Sequence, residues 1–189
     1  MISPIHISNQ LSNVERLGLL PTFRQAAIRH RVPVTLLLAI ASRESGMGTD
    51  PFLLANNWTG RDGHGKGIMQ VDDRYHSIMQ HTPGDDHITN IEFAAKFLAE
   101  LMNRFDKKVH SVAAFNAGAS GVQRAIQQGI NPDSVTTGGN YAQDVFNRER
   151  MIAKELGINI QSAGFVQFIP ALLLLSGGLG LLIQQLKSN

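Results

Sequence analysis

The sequence predicts a mainly helical protein of one globular domain, followed by a short apolar segment. Three observations carry that expectation. The chain has 189 residues, about one domain by length and enough to bury a core without covalent staples. Hydrophobic residues make up 43% and charged residues 17%, which excludes a disordered chain. The third is a series of apolar stretches with helical spacing, several of them ended by glycine.

In chain order, residues 21–30 read as a short helix. Pro33 suits the first position of the next, an almost wholly apolar stretch over 34–45 that Gly46 stops. Residues 46–74 are rich in glycine and aspartate and read as loops or short extended pieces, with 68–71 strand-like. The cleanest amphipathic helix spans 87–105, where Ile91, Ala94, Ala95, Leu98, Leu101, Met102 and Phe105 share one face. A helix over 109–116 ends at Gly118. Ser120 caps another that ends at Gly129, and Asn140 caps a last one through Leu156, with Gly157 as its stop. The expected organisation is a domain over 1–157, a linker over 158–164 and an apolar segment over 165–189.

That segment contains 19 consecutive uncharged residues, 165–183, near the length a bilayer core requires of a helix. A membrane-inserting role is expected, with a docked core helix or hairpin as the alternative, since Pro170 and the glycines fit either. Residues 1–10 are polar and mixed, so no secretory signal is expected there. With no cysteine, disulfides and thiolate metal sites are excluded. A net charge of +2 without a dense basic patch excludes a nucleic-acid partner but suits an anionic polymer.

Glu44 is the first residue with chemical interest. It ends an apolar helix, where poor solvation and the negative end of the helix dipole favour a protonated carboxyl, as a general acid requires. The plainer reading is an exposed helix-end glutamate paired with Arg43. The next feature is Gly60-Arg-Asp-Gly-His-Gly-Lys-Gly-Ile-Met-Gln-Val-Asp-Asp73, whose Gly65 and Gly67 let backbone approach a bulky ligand. Asp72, and less directly Asp62, could place a water opposite such an acid; both also suit turn capping. Gly60-x-x-x-x-Gly65-Lys66 imitates a phosphate loop, but Gly67 stands where magnesium needs a hydroxyl, and no buried strand precedes it. Phe115-Asn116 offers a stacking face beside an amide, or a core ring beside a cap; Tyr141 and Trp58 are polar-tipped aromatics at segment boundaries. His76, His81 and His87 lie near aspartates, but their spacing matches no ligand pattern, so neither metal nor cofactor is expected.

Four motifs in order resemble the goose-type lysozymes and, more distantly, the catalytic domains of soluble lytic transglycosylases. They are Ser42-Arg43-Glu44-Ser45; Gly65-Lys66-Gly67-Ile68-Met69-Gln70-Val71-Asp72 with Arg74-Tyr75-His76; Ala113-Ala114-Phe115-Asn116; and Thr136-Thr137-Gly138 with Tyr141-Ala142-Gln143-Asp144-Val145. They cover about residues 20–157. The resemblance implies a mainly α lysozyme-like fold: a helical bundle with a small three-stranded sheet beside the active-site cleft. It implies a peptidoglycan muramidase with Glu44 as general acid, Asp72 and less surely Asp62 placing the water, and Gln70, His76, Phe115, Asn116 and Tyr141 against the sugar. Action in the periplasm or at the cell wall follows. Three departures stand out: Trp58-Thr-Gly-Arg-Asp-Gly63 swaps the usual acid and base and adds a residue, phenylalanine replaces the usual tyrosine at 115, and the tail is additional. A lytic transglycosylase, or a wall-binding or membrane-disrupting protein without catalysis, is the alternative.

Overall fold

The computed structural model describes residues 2–160. Its elements are α1 (Pro4–Arg16), α2 (Leu20–His30), α3 (Val34–Ser45), α4 (Pro51–Ala55), β1 (Gly65–Lys66), β2 (Val71–Asp72), α5 (Ser77–His81), α6 (His87–Arg104), α7 (Lys108–Ala117), α8 (Ala119–Gln127) and α9 (Tyr141–Glu155). Two 3-10 turns, Pro132–Val135 and Thr137–Gly139, precede α9.

The mainly helical class is as expected, and α3 is its centre. Every residue from Val34 to Ser42 is buried, as a helix apolar all round must be. Gly46 ends it with φ +59°, which lets Met47 N–H reach back to Ala41 O at 3.0 Å. The most extensive packing is α3 on α9. Buried Glu149 of α9 pins that contact: its Oε1 accepts from Thr35 Oγ1 at 3.1 Å, and Lys108 Nζ lies 3.0 Å from each oxygen. Helix α6 packs on α2 and α7 through the apolar face seen in the sequence.

Three differences from the expected layout have physical causes. Helix α1 occupies a stretch read as polar and mixed; Ile7, Leu11 and Val14 are spaced four and three apart and bury one narrow stripe. The sheet has two strands instead of three, with Gly65 opposite Asp72 and Lys66 opposite Val71; an isolated bridge from Thr59 to Lys66 stands where a third would lie. The strand-like piece 68–71 is mostly a tight turn that opens with Gly67 at φ +73° and closes with Gln70 at φ +47°. A Cβ at Gly67 would meet the Asn90 side chain at 2.4 Å. Asn90 fills that space to accept from Met69 N–H at 2.8 Å and donate to Lys66 O at 2.9 Å. At Gly65 a Cβ would meet Gln70 Oε1 at 2.7 Å. The glycines thus admit the protein's own amide side chains, where the sequence pointed to a ligand.

The apolar segment 165–189, with its expected membrane role, lies outside the described residues, as does most of the linker. Among the described residues, no helix is long and apolar enough to cross a membrane.

Candidate active site

Glu44 occupies the last turn of α3 and keeps part of its surface open to solvent. The end of α3 is fixed from three sides. Ser45 Oγ donates to Ile68 O at 2.7 Å, tying it to the turn between the strands. Ser42 Oγ donates to Gln10 Oε1 of α1 at 2.6 Å. Arg148 of α9 donates from Nη1 to Ser42 O at 3.0 Å and Ser42 Oγ at 2.9 Å.

The hydroxyl of buried Tyr141 donates to Glu44 Oε1. Burial pushes the Glu44 carboxyl up to about 7; the Tyr141 hydrogen bond and the charges of Arg43 and Arg148 pull the other way and do not cancel it. Burial, then the neighbouring Glu44 charge, raises the Tyr141 phenol well above its usual value, so it remains a donor. The resemblance implies Tyr141 against the sugar; in the structure its hydroxyl meets the acid. Arg43 does not pair with Glu44, its chain neighbour. Its Nε lies 3.3 Å from Asp144 Oδ2.

Asp62 and Asp72 form a second, more exposed group around the sheet. Backbone N–H donation from His64 at 3.0 Å, and then from Gly65 at 3.2 Å, lowers Asp62, helped by Arg74. Asp72 is lowered chiefly by the Arg74 side chain, whose Nε reaches its two oxygens at 3.0 and 3.2 Å and whose Nη2 reaches Oδ2 at 2.6 Å. Neither aspartate is among the charges acting on Glu44. His64, Asp72 and Asp73 could each offer a cation one ligand atom within 4.8 Å of the others. Cationic side chains already engage both carboxylates, however: Lys66 Nζ lies 3.5 Å from Asp73 Oδ2 and Arg74 holds Asp72.

The third group is an aromatic cluster formed by His76, just before α5, and by rings of α6 and α7. The His76 ring stands edge-on between Phe93 and Phe97, with centroids 5.0 and 4.7 Å away, and Phe97 touches Phe115 at 5.4 Å. Burial holds His76 below the ordinary imidazole value, favouring its neutral form. Asn116 Oδ1 accepts from Thr137 N–H at 2.7 Å, linking α7 to the turn before α9. Gln70 directs Nε2 to Trp58 O at 3.1 Å and Gly67 O at 2.6 Å, so its amide latches the turn. The structure thus brings Tyr141 to Glu44, and His76 and Phe115 into one cluster, while the aspartates stand with Arg74. Sequence reasoning named Arg74 and Asp144 only as motif positions, without a role, and did not single out Arg148. Arg74, two residues from Asp72, and Asp144, three from Tyr141, had a local signal; Arg148 had none.

A helical domain with a small antiparallel sheet, in which burial raises one carboxyl to about 7, has the arrangement of a lysozyme-like glycoside hydrolase. The model of the family described as Lysozyme g matches residues 11–155, from within α1 to the end of α9, and the chain belongs to that family. It is similar to protein IpgF of Shigella flexneri, 28% identical over 148 residues, which cover 75% of this chain and 88% of that protein. It is also similar to lysozyme g of Cyprinus carpio, 33% identical across 60% of each chain. Lysozyme G of Dromaius novaehollandiae is 31% identical across 62% of this chain and 57% of its own. The protein is therefore a peptidoglycan-acting glycoside hydrolase, of the muramidase class.

Proposed function

We propose that the protein hydrolyses the β-1,4 bond between N-acetylmuramic acid and N-acetylglucosamine in peptidoglycan strands, with inversion at the anomeric carbon. The observation that carries this reading is the opposite pull on its carboxyls: burial raises Glu44 to about 7, while hydrogen bonds and Arg74 lower Asp62 and Asp72. Environments that push carboxyl pKa values apart separate acid from base. Glu44 gives its proton to the leaving oxygen, and the Tyr141 hydrogen bond steadies the carboxylate that remains. Asp72, seconded by Asp62, places the water; a carboxylate oxygen has a second lone pair, so Arg74 leaves it room to accept one. His76, Phe115 and Asn116, with Tyr141 and the Gln70-latched turn, hold the sugar. Inversion needs the two carboxyls about 6.5–9.5 Å apart, with a water between base and ring.

Asp72→Asn is expected to slow hydrolysis while leaving sugar binding largely intact. NMR of fresh product from a chitin or peptidoglycan oligomer reads the first-formed anomer. The α-anomer supports inversion, and a first-formed β-anomer rules it out. One observation favours a second reading, lytic transglycosylation, in which the substrate's own 6-hydroxyl attacks: Arg74 grips both aspartates, as a reaction without a water-activating base tolerates. Mass spectrometry of digested cell walls separates the two, since anhydro ends carry one water fewer than reducing ends.

The proposed site of action is the cell wall, with the segment 165–183 inserting into a membrane. The full chain is expected to float with liposomes and the chain lacking residues 163–189 to stay behind. Flotation of both would refute the membrane role.

A further inference from the structure

Two guanidinium groups lie close to Glu44, and neither forms an ion pair with it. Both converge on one oxygen of Asp144: Arg148 Nε donates to Oδ2 at 2.8 Å, and Arg43 Nε lies 3.3 Å from the same atom, close enough to pair but outside hydrogen-bond geometry. Asp144 sits in the first turn of α9, one turn beyond Tyr141, so one helix end presents both the hydroxyl that touches the acid and the carboxylate that collects the cations. The charged groups acting on Glu44 come from its own helix, Arg43, and from α9, Arg148. Helix α1 reaches this corner through the neutral amide of Gln10, which meets Ser42.

We propose that Asp144 is a positioning residue for the acid: by holding both guanidinium groups on its own carboxylate, it keeps them from pairing with Glu44, so that the proton needed for glycoside cleavage stays on the enzyme. The inference rests on the reading of Glu44 as proton donor. It follows from charge balance. An opposite charge brought within about 4–6 Å of a carboxyl favours ionisation, typically by about one to three pH units. If Arg43 or Arg148 turned to Glu44, the carboxyl would lose its proton near neutral pH and with it its role as acid. Asp144 prevents this by offering the arginines a fixed carboxylate.

The test is a carbon-13 carboxyl NMR titration of the full-length protein with labelled glutamate, the Glu44 resonance being identified by its absence in Glu44→Gln. Asp144→Asn keeps the shape and removes the charge; the Glu44 midpoint is expected to fall by about one unit or more. Asp144→Glu is expected to restore much of it. Arg43→Gln, which leaves Asp144 less compensated, is expected to move the midpoint upward. A general loosening of α9 would not be repaired by restoring the charge in Asp144→Glu. The high-pH limb of the pH–activity profile is expected to move with the midpoint. An unmoved or raised midpoint in Asp144→Asn, or a lowered one in Arg43→Gln, overturns the inference. If Glu44→Gln stays active, the assignment of the acid fails, while the titration still decides what Asp144 does.

Discussion

Glu44→Gln is expected to fold as the parent does and to lose about 10²- to 10⁴-fold in wall-clearing rate, the usual cost of removing a positioned acid. Glutamine keeps the size of the side chain and an acceptor for Tyr141, so a loss of activity is a loss of the proton. Stability is expected to move the other way. Burial raises the folded-state pKa of Glu44 to about 7 from an ordinary value of 4.5. For a carboxyl raised in this way, the folded state binds the proton more tightly than the unfolded state. Its favourable contribution is therefore complete below about pH 4.5 and is lost as pH rises through about 7. Glutamine carries no charge to desolvate, so the variant should gain on the parent in thermal stability between pH 5 and pH 8. Wild-type activity should fall through the same upper window as the acid loses its proton. A folded Glu44→Gln protein that clears walls within threefold of the parent would remove Glu44 from the mechanism.

The parts of the fold legible in the sequence are those whose causes are local. Helix α3 is apolar over most of its length and stopped by one glycine, so its end at Ser45 was read as found and its start to within one residue, Pro33 being the N-cap and not the first helical position. Helix α6 shows its buried face as a repeat of three and four, and its start and last turn were read to within one residue. Helix α1 obeys the same rule with only three buried residues among polar ones, too narrow a stripe to stand out from its composition. The small sheet was less legible because the sequence cannot show what fills the space over a glycine. Gly65 and Gly67 face Gln70 and Asn90, and Asn90 comes from a helix 23 residues beyond Gly67 in the chain.

The candidate site divides in the same way. The position of Glu44 at the end of an apolar helix was visible, and with it the rise in its proton affinity. Its environment was not. Tyr141 is 97 residues away and Arg148 meets Ser42 across 106, so no local pattern announces either contact. Arg43, the obvious local partner, belongs to Asp144 instead. The family resemblance picked out Tyr141 and Asp144 as motif positions. In the structure Tyr141 meets the acid, while Asp144, three residues on, holds Arg43 and Arg148.

Asp133→Ala is expected to be the most damaging substitution outside the acid itself. Asn140 stands at the N-cap position of α9, as the sequence indicated, but its side chain makes no capping hydrogen bond. Asp133, seven residues earlier and buried, does the capping. Its Oδ1 accepts from Ala142 N–H at 2.8 Å and from Thr136 Oγ1 at 3.2 Å, and its Oδ2 accepts from Gln143 N–H at 3.0 Å. A carboxylate at that end of a helix also meets the positive end of its dipole. Truncation leaves two N–H groups of the first turn unsatisfied in a buried place. Loss of a cap costs about 0.5–2 kcal/mol and hydrogen bonds to a charged group about 1.5–3 kcal/mol each, so a total near 3 kcal/mol is expected. For a domain of this size that lowers Tm by about 6–12 °C. The effect should reach the site, because Tyr141 is the first residue of α9 and its hydroxyl restrains the proton affinity of Glu44. With that restraint loosened, the high-pH limb of activity is expected to move upward in Asp133→Ala at temperatures where it remains folded. Asp133→Asn keeps one acceptor oxygen and should fall between the two proteins in Tm. Thermal unfolding followed by circular dichroism decides the matter: a Tm within about 2 °C of the parent would mean that Asn140 or solvent caps α9.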